Sequence, residues 1–175
     1  MSQGRWSRHR ELNEIIKGAF SSAGVPSKLE PLGLFHDNKR GDGVTLVPWS
    51  KGRCLVWDAT CSDTLAKTYL PATSRTAGAA TQAAELRKHN LCASLSGLYR
   101  LCPFAVETLG PFGEEARDLV KELGRRIHTL SGEPRSHSFL VQRISIAIQR
   151  GNAAAVLGSI PSSPNLEDIV PVSLL

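Results

Sequence analysis

A chain of 175 residues and 18.9 kDa has room for one ordinary hydrophobic core and too little for two. Its 41% hydrophobic and 21% charged residues exclude a disordered or fibrous chain, and no apolar run approaches the roughly eighteen residues of a bilayer span. Lys and Arg number 21 against 16 Asp and Glu, for a net charge of +5 and a pI near 9.3. Residues 1–53 alone carry nine bases and five acids. That sign favours a polyanionic partner, whose condensed counterions are released on binding. Residues 1–20 open on polar and basic positions with no apolar secretory run. The expectation is an intracellular protein, nuclear or cytoplasmic, with no membrane partner. Its four separated cysteines (Cys54, Cys61, Cys92, Cys102) are then reduced thiols.

In chain order, Ser7 can cap a helix from Arg8 to about Ala23. Leu12, Ile15, Ile16, Ala19, Phe20 and Ala23 fall on one face of it, and Gly24 and Pro26 stop it. A short strand near residues 28–30 follows. Residues 43–48 (GVTLVP) and 53–60 (RCLVWDAT) read as two strands joined by a hairpin through Trp49-Ser50-Lys51-Gly52. The second is almost wholly apolar before Asp58, as a strand buried on both faces would be. An alanine-rich helix spans about 74–90, with Arg87 and Lys88 at its negative end. A strand at 101–108, a helix at 112–130 and a helix at about 136–156 complete the elements. The order describes an α/β fold, a small mixed sheet flanked by helices, in a single domain over residues 1–160. Residues 161–175, rich in proline and serine, read as a flexible C-terminal tail.

Chemistry concentrates on two carboxylates. Asp42 stands at the mouth of one hairpin strand and Asp58 near the far end of the other. In an antiparallel pair the start of one strand lies beside the end of its neighbour, so the two can meet. Adjacent carboxylates repel and are best tolerated around a divalent cation. Mg²⁺ (or Mn²⁺) suits this role, because it accepts a few carboxylate oxygens and keeps its waters. Glu14, on the polar face of the first helix, is a candidate third metal ligand. From spacing alone the simpler reading is that Asp42 is a turn residue and Asp58 a strand-end acid paired with a surface base. No GxSxG, HExxH, Walker or Rossmann pattern is present.

Five segments taken together resemble a known family: RHRELNEII, RGDGVTLVPWSKGRCLVWDATCSDTLA, the alanine-rich helix ending RKHN, FAVETLGPFGEEA, and SFLVQRISIAIQRGNAAAVLG. In this order, over about residues 8–160, they resemble the restriction-like endonuclease domain (PD-(D/E)XK superfamily) of non-LTR retrotransposons and retroelement-derived proteins. The resemblance implies a restriction-endonuclease-like core and a metal-dependent DNA endonuclease that nicks target DNA by phosphodiester hydrolysis. It implies metal-ligand roles for Asp42 and Asp58, support from Glu14, and a reverse transcriptase domain or polypeptide as partner. Two departures stand out. Gly41 occupies the place of the family's proline before the first aspartate, and Thr60 the place of the superfamily's lysine. Retroelement versions draw a lysine from the next helix, in a K-x-x-K-Y stretch; here that stretch reads Lys88-His-Asn-Leu91-Cys92 and keeps only Lys88, the candidate catalytic lysine that would position the attacking water or stabilise the charge developing on the phosphorane. Arg8, His9, Arg10, Lys39, Arg40 and Lys51 are the candidate contacts to the DNA backbone. The alternative reading is a catalytically inactive remnant of the same fold that binds nucleic acid or a protein.

Overall fold

The computed structural model describes residues 3–31, 41–92 and 97–159. The C-terminal tail expected over 161–175 lies outside the described residues. The elements run α1 (Gln3–Ser22), β1 (Ser27–Leu29), β2 (Gly43–Thr45), β3 (Leu55–Ser62), α2 (Leu70–Thr73), α3 (Ala79–Leu91), β4 (Arg100–Glu107), α4 (Glu114–Ser131) and α5 (Ser136–Leu157). The strands form one mixed sheet in the order β1-β2-β3-β4. β1, β2 and β3 are antiparallel, and β4 is parallel to β3. Among the described residues no helix is long and apolar enough to cross a membrane.

The side-chain period of two on β3 divides the molecule. Leu55, Trp57 and Ala59 point into the main core with Cys102, Phe104 and Val106 of β4, against α1, α4 and α5. Val56, Asp58 and Ser62 alternate with them and are buried toward the opposite face, where α3 lies. Trp57 is fully buried. Its ring stacks on Phe20 at 5.0 Å between centroids, and its indole N–H donates to Asn13 Oδ1 at 3.0 Å. Trp49 meets Phe20 edge-on at 5.3 Å and carries the Arg126 guanidinium on its face. Both tryptophans are therefore core residues. Pro103, which lacks a donor, is tolerated because β4 is an edge strand.

Three element boundaries differ from the sequence expectation, each for a local reason. α1 starts at Gln3, so Ser7 lies inside the helix and does not cap it. β2 ends at Thr45 and does not reach Pro48. The Thr45 hydroxyl accepts the Leu55 N–H at 3.0 Å and donates to the Val47 carbonyl at 2.8 Å, so a side chain takes over where the ladder would continue. The hairpin resumes at Ser50 and Arg53, around Lys51 (φ 49°) and Gly52 (φ 72°), two left-handed positions that match the strand twist. α3 begins at Ala79 because Gly78 is left-handed (φ 86°), which splits off the single turn of α2.

Candidate functional site

Asp42 directly precedes β2. The register Gly43↔Trp57, Val44↔Val56, carried one residue further, sets Asp42 beside Asp58. The Asp42 amide donates to the Trp57 carbonyl at 2.9 Å, and its Oδ2 accepts the Ala59 N–H at 2.7 Å. The carboxylate thus lies against the peptide that follows Asp58. Two glycines permit this approach. A Cβ on Gly41 would stand 2.3 Å from Val56 Cγ1, and one on Gly43 would stand 2.0 Å from the Trp57 ring. Gly41 is accordingly a packed, buried position rather than the loosened turn that its exchange for proline suggests.

Asp58 is buried, 7% exposed. The Lys88 ammonium, from the last turn of α3, donates to both of its carboxylate oxygens, at 2.7 Å to Oδ1 and 2.6 Å to Oδ2. Lys88 reaches the sheet because it falls on the inward stripe of α3 with Thr81, Ala84 and Glu85. Burial pushes the Asp58 carboxyl above its ordinary range. The hydrogen bond and charge of Lys88 pull it back without cancelling the shift, and the Asp42 charge adds to it. On the other side His9 Nε2 lies 2.9 Å from Asp42 Oδ2. That hydrogen bond raises the His9 pKa, partial burial opposes it, and the negative charges of Asp42 and Asp58 reinforce it. Four side chains from α1, the residue before β2, the middle of β3 and the end of α3 therefore form one row, in which two neighbouring carboxylates, Asp42 and Asp58, are flanked by a base on each side, His9 and Lys88.

The remaining expected residues are placed differently. Glu14 is exposed and lines a cavity of about 430 Å³ with Glu11, Phe139, Arg143 and Arg150, sharing no hydrogen bond or ion pair with either aspartate among the described residues. The reason is helical geometry: five residues carry it about 140° round α1 from His9, whereas Asn13 is only about 40° away. Asn13, missed from sequence, is the buried polar partner on that face. Arg8 turns inward. Its Nη1 donates to the Gly151 carbonyl and to Asn152 Oδ1, both at 3.1 Å, and its stem packs where a Cβ of Gly151 would sit. Arg8 is thus a clasp between α1 and α5. Arg10 is exposed, Lys51 is exposed on the hairpin turn, and Lys39 and Arg40 lie outside the described residues.

Two further carboxylates take their roles from elements distant in the chain: Glu107, which as a strand-end acid reads either as pointing toward the aspartates or as paired with an arginine, and Glu85, which sequence reasoning missed. Glu107 is fully buried at the end of β4, and its Oε1 accepts the Ala80 N–H at 3.0 Å at the start of α3. Glu85 accepts the Glu115 N–H at 3.2 Å at the start of α4, and burial pushes its carboxyl up. Both place a carboxyl oxygen where a helix presents unpaired amides. Asp63, another acid near the site in sequence, accepts the Leu65 N–H at 3.0 Å as a turn residue does.

As chemistry, the pair offers hard carboxylate oxygens of the kind Mg²⁺ takes alongside its waters. Asp42 Oδ1 makes no hydrogen bond among the described residues, whereas both oxygens of Asp58 are engaged by Lys88. Among the described residues no group of three or more His, Cys, Asp or Glu side chains is arranged to hold a metal ion. A cation held by both aspartates would therefore take Asp42 Oδ1 and share the Asp58 oxygens with the Lys88 ammonium. No protein-family model matches the chain, and no curated protein matches it at a significant level.

Proposed function

We propose that the chain is a metal-dependent DNA endonuclease of retroelement origin, built on a restriction-endonuclease-like core. The observation that carries the reading is the Asp42–Asp58 pair on adjacent antiparallel strands, with an ammonium delivered to Asp58 by the following helix. An aspartate opening one strand, an acid on the next and a lysine drawn from the helix beyond are what the resemblance implies, and here they converge although Thr60 replaces the strand lysine. Asp42 and Asp58 would hold Mg²⁺ or Mn²⁺, which supplies charge neutralisation at phosphate and an acidified water. Asp58, seated on a rigid central strand, fixes the depth of the site. The Ala59 amide and His9 fix the orientation of Asp42. Lys88, a donor with three protons, is positioned to turn one of them from Asp58 to a phosphoryl oxygen and so stabilise the charge that develops there.

The test is conversion of supercoiled plasmid to nicked circles by the purified chain, with Mg²⁺ or Mn²⁺ and with chelator, beside Asp58→Asn and Lys88→Met. Metal-dependent nicking lost in Asp58→Asn is the expected result. Absence of nicking by the unaltered chain in either metal would overturn the reading. One observation favours the inactive alternative: Lys88 already neutralises Asp58 through both oxygens. In that case DNA or a protein is bound without cleavage, and metal leaves the folded chain's thermal midpoint unchanged.

A further inference from the structure

We propose that the rigid connection between β3 and α3, with the outer face of α3, forms the track on which a DNA backbone enters the site. The inference rests on the endonuclease reading and names where its substrate is held. Of the bases expected to make that contact, Arg8 is spent on α5 and His9 on Asp42, whereas Arg10 and Lys51 are exposed. Lys67, Arg75 and Arg87 are exposed on the connection and on α3, and none of them makes an ion pair among the described residues, a property they share with exposed bases on other surfaces such as Lys28 and Lys121; what sets Arg87 apart is its place next to Lys88 in α3.

Position and stiffness complete the argument. Arg87 precedes Lys88, whose ammonium sits on Asp58, and is exposed on the same turn of α3. Its Nη1 donates to the Tyr69 hydroxyl at 3.3 Å, which ties the helix to the connection carrying Lys67. That connection is held by its own turns, Tyr69 N to Ala66 O at 2.8 Å and Leu70 N to Ala66 O at 2.9 Å. It is closed by Thr73 Oγ1 donating to Thr64 O at 2.8 Å. The Thr64 amide in turn donates to Thr108 Oγ1 at 3.1 Å, anchoring it beyond β4. Cations on a fixed frame lose little freedom on binding, which suits them to a repeating row of phosphates.

The experiment measures fluorescence anisotropy of a fluorescein-labelled DNA duplex with the full chain in chelator, across a salt series. It compares the unaltered chain, the triple variant Lys67→Ala/Arg75→Ala/Arg87→Ala, and the control Lys28→Ala/Lys121→Ala on other surfaces. One phosphate contact per base predicts a salt slope of log affinity flattened by about 2 to 3 in the triple variant, and affinity lower by at least about tenfold. The control stays within about twofold of the unaltered chain. The proposal is overturned if the triple variant binds like the unaltered chain, if the control loses as much, or if the unaltered chain does not bind at low salt. Plasmid nicking separates the two ideas. Nicking with unchanged binding by the triple variant leaves the endonuclease and removes the track. Weakened binding by the triple variant, without nicking by the unaltered chain, leaves the track and removes the endonuclease.

Discussion

Replacing Lys88 with methionine isolates the ion pair at the centre of the site. Methionine keeps the length and apolar stem of lysine and removes the charge, so Asp58 loses both of its short hydrogen bonds at one stroke. The Asp58 side chain is 9% exposed and that of Lys88 23%, a pair that is largely but not wholly withdrawn from water. Stranding one member of a fully buried pair costs about 3–5 kcal/mol. The partial access here lowers the expected cost at pH 7 to about 2–4 kcal/mol, or a fall in Tm of roughly 5–12 °C for a chain of this size. The pH dependence follows from the sign of the shift. The folded-state pKa of Asp58 is already raised above 3.8, so its contribution is fully present below that value and is lost as pH rises through the folded pKa. Removing Lys88 raises that pKa further and carries the loss to higher pH. The stability gap between the two proteins should be small near pH 4 and grow toward pH 7, by urea denaturation at each pH. In Asp58→Asn/Lys88→Met no buried charge is stranded, and most of the loss should return, with a coupling of about 2–3 kcal/mol in the double-mutant cycle. A gap that does not change with pH, or a coupling below about 0.5 kcal/mol, would refute the assignment of Lys88 as the partner of Asp58.

Three other outcomes are expected. Gly43→Ala drives a methyl group into the buried Trp57 ring, so it should cost at least about 1–3 kcal/mol and shift the tryptophan fluorescence, unlike Gly18→Ala in α1, which meets no atom within 4 Å at an ordinary helical φ. Arg8→Met should lower stability by about 1–3 kcal/mol through loss of the bonds to Gly151 and Asn152 while leaving DNA affinity unchanged in the anisotropy assay, since its guanidinium is turned toward α5. The His9 ring should titrate above 6.5 by NMR and fall back in Asp42→Asn; its stabilising bond is complete below 6.5 and disappears as pH rises through the raised value.

The residues that repeat at fixed intervals were legible without a structure. The apolar face of α1, the unbroken apolar run of β3, and the helices α4 and α5 follow from periods of 3.6 and 2, because burial of one face is a local property of the chain. The hairpin brings Asp42 to Asp58 for a similar reason, since a short connection leaves two strands little choice but antiparallel pairing. What required the tertiary structure was every relation between elements distant in sequence. That Lys88 reaches Asp58 depends on how α3 is laid across the sheet after Gly78 has broken the chain's helical run. That Asn13 rather than Glu14 faces Trp57 depends on the rotation of α1 about its own axis, and the inward turn of Arg8 depends on the packing of α5 against it. Sequence spacing determines which side chains share a face; only the docking of that face decides what they meet, because the energy of a contact is realised when two surfaces exclude water from each other.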